Sequence, residues 1–342
     1  MGILSAFFFR IAPNSDLSHT AFPPPSAYDP ARDMPDQRGK VCIVTGANTG
    51  VGYETAKQLV LKNAKVYVGS RSEKKGLAAV ESLRQTVKEQ GTTGEAVWLK
   101  LDLADLDSVK AAAEEFNSKE RKLDLLFNNA GVLVPPTDEL TKQGFDLQWG
   151  TNVVGHYLFS LLLLPSLRAS YASTGIAPRI VHTSSSAHAN APGSTGFSPS
   201  TFSGGAERDE TLKEWGGVLA PWSLYGQSKM GSVMVAKILQ EELGEEGVSM
   251  SCNPGLIKTE LHRTTPSWQL SVLSLFLYPP PMGALTQLWG ATSPEGANFQ
   301  GKYLWPWARM GKTDPRADNE ETLRMVKEHL DNAIAPWLAA KA

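Results

Sequence analysis

The sequence predicts an α/β fold: a doubly wound parallel sheet of about seven strands with helices on both faces. Two observations lead to this prediction. From Val41 onward, short β-branched runs alternate with longer stretches of helical apolar spacing. The strand-like runs are almost continuously apolar, which is typical of parallel strands covered on both faces. In such sheets, ligands bind beyond the carboxyl ends of the strands.

The elements follow one another in a regular order along the chain. Strands are predicted at Val41–Gly46, Lys65–Val68, Ala96–Leu101, Leu123–Asn128, Arg179–Ser184 and Val248–Asn253. Helical spacing covers Gly50–Leu61, Glu73–Gln90, Leu106–Phe116, Phe145–Leu167 and Leu224–Leu243. No internal repeat is present, so we expect one domain over residues 40–342.

Two segments break this alternation. Ala189–Pro221 places roughly thirty Gly-, Ser- and Pro-rich residues between a strand and a helix, and a loop of that length is usually functional or disordered. The second segment, about 260–290, contains the apolar run Leu270–Tyr278. We expect it to be a substrate lid over an apolar pocket or, alternatively, a surface contact.

The first 39 residues differ in composition from the rest. Ile3–Ile11 is apolar, but Arg10 interrupts it and it is shorter than the ~20 residues that span a bilayer. Prolines at positions 23–25, 30 and 35 then disfavour both helix and strand. We expect residues 1–39 to be an extension outside the fold. The sequence leaves open whether it lies on a membrane surface or docks on the body.

Composition limits the class of protein. The 342 residues carry 33 Lys and Arg against 35 Asp and Glu, a net charge of −2, which argues against binding of nucleic acid. The two cysteines, Cys42 and Cys252, lie far apart in apolar runs, and no metal-ligand spacing is present. We expect a cytoplasmic protein without a metal site, in which residues 1–11 or 268–289 are the candidates for contact with a membrane surface. Monomer and homodimer both stay open.

A glycine-rich turn, Thr45–Gly52, joins the first strand to the first helix. Its glycines permit a tight turn and the close approach of an anion to the backbone. The helix start adds N–H groups and the positive end of the helix dipole. We predict that a dinucleotide pyrophosphate binds at this turn, through Gly46, Asn48, Gly50, Val51 and Gly52.

This turn and three further motifs resemble one family. TGANTGVG resembles the TGxxxGxG turn of short-chain dehydrogenases/reductases, and Asn128–Gly131, Tyr225–Lys229 and Asn253–Gly255 match that family's other motifs in order. The resemblance covers about residues 39–303. GTNVVGHYLFSLLLLPSL and RIVHTSSSAH are most similar to the retinol dehydrogenase and WW-domain oxidoreductase branch and its fungal relatives. The resemblance to this family implies a Rossmann fold and hydride transfer with a nicotinamide cofactor.

The resemblance also implies a set of catalytic residues. Tyr225 would be the general acid or base, and Lys229, one helical turn later, would lower the pKa of Tyr225 and bind the nicotinamide ribose. Ser185 would orient the substrate carbonyl, although a shift by one residue to Ser184 or Ser186 stays open. Asn152 would hold a water of the proton relay. Tyr225 lies 40 residues after Ser185, a longer spacing than is usual in the family, but the two can still meet because the segment between them can bulge outward.

The second strand bears on the choice of cofactor. It ends in Gly69-Ser70-Arg71, without the acidic residue that usually binds the ribose diol of NAD. Arg71 could meet a 2′-phosphate, with Ser70 donating a hydrogen bond and Lys74 or Lys75 adding charge, so we predict NADP(H). The contacts expected at the 2′-phosphate are Ser70, Arg71 and Lys75. The resemblance implies further contacts, with Asp102 near the adenine, Asn129 beside the adenosine ribose, and Ile257 and Thr259 at the nicotinamide carboxamide and the diphosphate.

Together these features predict an NADP-dependent oxidoreductase. It would interconvert a carbonyl and an alcohol on a small, hydrophobic substrate, with Tyr225 as the acid or base. One alternative is a non-catalytic NADP-binding sensor or scaffold. Another is a reductase of C=C double bonds.

Overall fold

The computed structural model describes residues 16–258 and 277–339. Thr259 and the greater part of the predicted lid therefore lie outside the described residues. The same holds for residues 1–11, and the second candidate for membrane contact is described only from Leu277 onward.

One sheet organises the described chain. Its strands are β1 (Val41–Thr45), β2 (Lys65–Ser70), β3 (Glu95–Lys100), β4 (Leu125–Asn128), β5 (Arg179–Thr183), β6 (Val248–Cys252), β7 (Tyr303–Trp305) and β8 (Arg309–Met310). Their order is β3-β2-β1-β4-β5-β6-β7-β8. All neighbours pair in parallel except β7 and β8, which are antiparallel. The predicted doubly wound α/β fold is confirmed, and β8 adds a short antiparallel edge to the seven parallel strands.

Helices cover both faces of this sheet. They are α1 (Asp16–Ala21), α2 (Pro30–Asp33), α3 (Gly50–Leu61), α4 (Glu73–Gln90), α5 (Leu106–Lys119), α6 (Leu147–Thr174), α7 (Ala206–Trp215), α8 (Ala220–Leu243), α9 (Pro280–Thr292) and α10 (Glu320–Leu338). Within α6, Gly150–Val154 forms a π-helical turn. By length and composition α6 could cross a membrane, but 72% of its apolar window is buried inside the fold, as in the core helix of a globular domain.

Alternating side chains of the buried strands build two cores. Cys42 and Val44 of β1 face one side of the sheet, where Leu59 of α3 and Leu288 of α9 pack. Ile43 faces the other side, which α6 and α8 cover. Because both faces are covered, the central strands carry apolar residues at successive positions, and this explains the continuous runs in the sequence.

The segment between β5 and α8 is ordered, contrary to the expectation of a long loop. It contains α7, and Phe202 stacks on Trp149 of α6 with ring centroids 4.0 Å apart. Arg208 of α7 forms an ion pair of 2.9 Å with Asp146, and both side chains are 3% exposed. Local composition suggested a loop because the aromatic and ionic partners of this segment are distant in sequence.

Residues 16–39 dock on the body, so this part of the predicted extension does not lie outside the fold. Met34 is buried, and it packs in the same core as Cys42 and Val44. Tyr28 is also buried and its hydroxyl bonds to Thr292 of α9 at 3.1 Å. The prolines rule out long regular structure, but they do not prevent apolar side chains from packing.

Replacing Arg208 by Met tests how the ordered segment is anchored. The variant leaves the buried Asp146 carboxylate without its cation, so we expect a loss of ~3–5 kcal/mol in the free energy of unfolding, measured with urea. The matched control is Lys142→Met, which removes exposed ion pairs to Asp105 and Asp107 and should cost less than ~1 kcal/mol. Equal losses in both variants would contradict this anchoring role.

Candidate active site

Thr45, the last residue of β1, ties two neighbouring strand ends together. Its buried hydroxyl oxygen accepts hydrogen bonds from the backbone N–H groups of Asn129 and Ala130, each at 2.9 Å. The Asn129 side-chain amide in turn donates to the Thr45 carbonyl at 2.9 Å. These bonds fix the loop after β4 against the glycine-rich turn after β1.

The glycine turn leaves a cradle with no room for side chains. Gly46 and Gly50 adopt positive φ of 68° and 60°. A Cβ on Gly52 would lie 2.5 Å from the Asn129 side-chain nitrogen and 2.6 Å from the Gly46 carbonyl oxygen. The N-cap residue of α3, Thr49, makes no side-chain capping bond. The N–H groups of the first helical turn therefore remain available to an anion, as a pyrophosphate site requires.

Ser185 and Tyr225 lie together despite their separation in sequence. Ser185 precedes a 3₁₀ turn, Ser186–Asn190, and its side chain lies close enough to the Tyr225 hydroxyl of α8 to lower the pKa of that phenol. Gly226 permits this approach, because a Cβ there would lie 2.9 Å from the Ala187 carbonyl oxygen and 3.0 Å from the Ala191 nitrogen. The structure thus brings together the two hydroxyls that the resemblance pairs.

Ser184 faces the core instead of the cleft. It is buried, and its hydroxyl donates to the Lys229 carbonyl at 2.8 Å. Of the serines left open by the sequence, Ser185 is the one whose side chain acts on the Tyr225 hydroxyl.

Lys229 lies one turn beyond Tyr225 and is 5% exposed. Its ammonium donates to the Thr183 carbonyl at 2.9 Å and lies 5.6 Å from the centroid of the Tyr225 ring. Burial lowers the pKa of Lys229 to about 8. Burial also raises the pKa of Tyr225 to about 12, although the neighbouring Ser185 hydroxyl opposes that rise. The expected lowering of the Tyr225 pKa by Lys229 stays a prediction.

Asn152 lies in the π-helical turn of α6 and holds the loop after β4. Its side chain accepts from the Val132 N–H at 2.9 Å and donates to the Val132 carbonyl at 3.1 Å and the Ser228 hydroxyl at 3.0 Å. Its oxygen and the Lys229 nitrogen both border Gly131, at 3.1 and 3.6 Å from the position of a Cβ there. Asn152 and Lys229 therefore both lie next to Gly131. The water expected at Asn152 stays a prediction.

The residues predicted to bind the adenosine half of the cofactor differ in exposure and in hydrogen bonding. Arg71 is exposed directly after β2, and Lys75 is exposed in the first turn of α4. The Ser70 hydroxyl accepts from the Trp98 indole at 3.1 Å and donates to the Ser72 carbonyl at 3.4 Å, so its proton is directed at the chain itself. The Asp102 carboxylate accepts from the Ala104 N–H at 3.0 Å and shapes the turn after β3.

Ile257 lies near the start of α3, the helix that follows the glycine-rich turn. Gly283 of α9 separates it from Val51, because a Cβ on Gly283 would lie 2.8 Å from the Ile257 side chain and 2.7 Å from the Val51 side chain. The predicted contacts Val51 and Ile257 therefore border the same glycine.

Two residues near Ser185 were not predicted. His188 bonds to the Ser185 carbonyl at 2.7 Å, and Asp16 of α1 lies 3.7 Å from the same imidazole nitrogen. The spacing of three residues could have indicated the His188 contact, since a 3₁₀ turn brings such residues together. Among residues 16–258 and 277–339, no group of three or more His, Cys, Asp or Glu could hold a metal ion.

Comparison with known proteins finds relatives over most of the chain. The family model described as short chain dehydrogenase matches residues 40–200. A short-chain dehydrogenase/reductase of Armillaria gallica is 45% identical over 316 residues, which cover 92% of this chain and 96% of that protein. Polyprenol dehydrogenase of Mus musculus is 35% identical over 305 residues, with 87% of this chain and 84% of the relative covered.

Solved structures share the fold. An uncharacterised protein from Mycobacterium paratuberculosis has a TM-score of 0.64 and 25% identity, and the match covers 91% of this chain and 98% of the other. The 3-ketoacyl-(acyl-carrier-protein) reductase of Brucella melitensis, solved with NADH, has a TM-score of 0.58 and 24% identity, with 79% and 98% covered.

Proposed function

The chain belongs to the short-chain dehydrogenase/reductase family, and from this premise we propose that it is an NADP-dependent enzyme that interconverts a carbonyl and an alcohol on a hydrophobic substrate. The observation that carries the proposal is the close approach of the Ser185 side chain to Tyr225, with Lys229 beside the tyrosine ring. A protein that only binds a dinucleotide needs no such group of polar side chains next to the cradle.

The residues present fit a nicotinamide cofactor. The tight turn made by Gly46 and Gly50 at positive φ, together with the uncapped start of α3, suits a pyrophosphate. Asn129 and Ile257 border the cradle on either side. When bound, the nicotinamide supplies or accepts the hydride.

The protein's own part is to orient the carbonyl and move a proton. The Ser185 hydroxyl holds the carbonyl oxygen, and the Tyr225 hydroxyl donates a proton to it. With a pKa near 12, Tyr225 is a neutral phenol at physiological pH, which is the form that carbonyl reduction needs. Lys229, whose pKa is about 8, is charged below that pH and stands close enough to favour the phenolate left after proton transfer. Alcohol oxidation needs the phenolate from the start, so rising pH favours it.

An apolar approach to Tyr225 supports a hydrophobic substrate. Val218, Leu219 and Trp222, at the start of α8, are 77%, 65% and 43% exposed. The Trp222 ring meets the Tyr225 ring edge to face at 6.3 Å. The mouse relative is named for polyprenol, a long apolar alcohol, and this name agrees with a substrate of that character.

Replacing Tyr225 by Phe tests the proposed function. The variant loses the acid but keeps the ring, so we expect turnover of carbonyl substrates to fall ~10²–10⁴-fold while NADPH still binds. Turnover is followed by NADPH absorbance over a panel of long-chain and short polar carbonyls, and binding by NADPH fluorescence.

The matched control is Tyr53→Phe, which removes a hydroxyl bonded to Ser82 between α3 and α4. We expect this variant to keep the wild-type rate. NADPH binding without Tyr225-dependent turnover of any carbonyl would favour the sensor or scaffold. Product analysis that finds a reduced C=C bond would identify the third alternative.

Replacing Arg71 by Ala tests the preference for NADP. Loss of one charged contact to the 2′-phosphate should weaken NADPH binding ~10–100-fold and leave NADH binding unchanged. Arg84→Ala, an exposed change further along α4, is the control and should alter neither affinity. Equal use of NADH and NADPH by the wild-type enzyme would refute this preference.

A further inference from the structure

The N-terminal helix α1 lies across the carboxyl ends of β6 and β7. Ser18 and Thr20 are almost fully buried there. The His19 ring packs against Trp305 of β7 with centroids 4.7 Å apart. The family motifs begin only after residue 39, so nothing in them assigns a role to this helix.

Asp16, at the start of α1, is held in a polar cluster. One carboxylate oxygen accepts from the Asn253 side-chain amide at 2.9 Å, and the other accepts from the Tyr303 hydroxyl at 2.8 Å. Its side chain is 11% exposed. A carboxylate this buried is retained only where donors compensate it, and both of its oxygens are engaged.

Asn253 transmits this contact to the turn after β6. Its side-chain oxygen accepts from the Gly255 N–H at 2.9 Å, while its nitrogen also reaches the Thr20 hydroxyl at 2.6 Å. Gly255 leads directly to Ile257, which borders the cradle near Val51. The N-terminal helix therefore holds the loop that approaches the cofactor side of the site.

His188 transmits the second contact to Ser185. The Asp314 N–H donates to Nε2 of His188 at 3.0 Å, so this nitrogen is an acceptor and the ring proton of the neutral imidazole is on Nδ1. Nδ1 then donates to the Ser185 carbonyl at 2.7 Å, and Asp16 lies 3.7 Å away on the same side. The ring is fully enclosed, and Tyr303 packs against it edge to face at 4.9 Å.

We propose that Asp16 is a positioning residue of the active site, which acts through Asn253 on the turn at 253–257 and through Tyr303 and His188 on Ser185. The N-terminal segment then supplies part of the catalytic framework. Without the carboxylate, the Asn253 amide and the Tyr303 hydroxyl are buried donors that lose an acceptor, and both segments must rearrange to satisfy them. The catalytic part of this proposal rests on the proposed function.

The test compares Asp16→Ala with the wild-type protein in two readouts. In the first, kcat should fall ~10–100-fold for a carbonyl that shows Tyr225-dependent turnover, because a misplaced Ser185 no longer aligns the carbonyl. KM should change much less. In the second, hydrogen exchange followed by mass spectrometry should accelerate in peptides covering 184–190 and 253–258 and stay unchanged in β1–β3.

Two further variants complete the experiment. Asp33→Ala removes an exposed carboxylate of the same segment, which pairs with Arg32 and accepts from the Asp29 N–H at the surface, and should match the wild type in both readouts. Asp16→Asn keeps one acceptor oxygen for Asn253 and should recover part of the lost kcat. If Asp16→Ala does not fold, kcat and hydrogen exchange are measured on Asp16→Asn instead.

Unchanged kcat together with unchanged exchange in both peptides overturns the proposal. If the wild type turns over no carbonyl, the proposed function fails, and hydrogen exchange alone decides whether Asp16 positions the two segments. Faster exchange confined to them supports that role. Wild-type exchange in Asp16→Ala refutes it.

Discussion

The close approach of Ser185 to Tyr225 is the contact on which the site depends. It brings the chain after β5 against the second turn of α8 across 40 residues of chain, and Gly226 permits it because a Cβ there would meet the backbone of the 3₁₀ turn. Lys229 follows one turn later on the same helix, with its ammonium anchored by the last carbonyl of β5. A helix displaced by one side-chain width would move Tyr225 and Lys229 together away from Ser185.

Burial sets the protonation states in this arrangement. Desolvation outweighs the influence of the Ser185 hydroxyl on the pKa of Tyr225 and keeps the phenol protonated at neutral pH. It also lowers the pKa of Lys229, which loses its charge as the pH rises through about 8. At neutral pH, Tyr225 therefore keeps its proton, and Lys229 beside it is a cation with a pKa of about 8. Such matched values are typical of groups that exchange protons during turnover.

The sequence was informative wherever a feature is local. The strands, the glycine turn and the spacing of Tyr225 and Lys229 follow from short-range patterns, and the structure places them as expected. Long-range packing was not predictable from such patterns. The order of the segment holding Arg208 depends on Asp146, 62 residues earlier, and the docking of Asp16 depends on Tyr303 and Asn253. The C-terminal helix was missed although Val326, Leu330 and Ile334 recur at four-residue spacing.

The most direct measurement is a crystal structure of the wild-type enzyme with NADP⁺ and a carbonyl compound that it turns over, a complex that cannot react. The carbonyl oxygen should lie roughly 2.6–3.2 Å from both the Tyr225 hydroxyl and the Ser185 hydroxyl, as a shared proton donor and orienting group require. A carbonyl oxygen bound beyond hydrogen-bonding distance of both hydroxyls would contradict the assignment of this site.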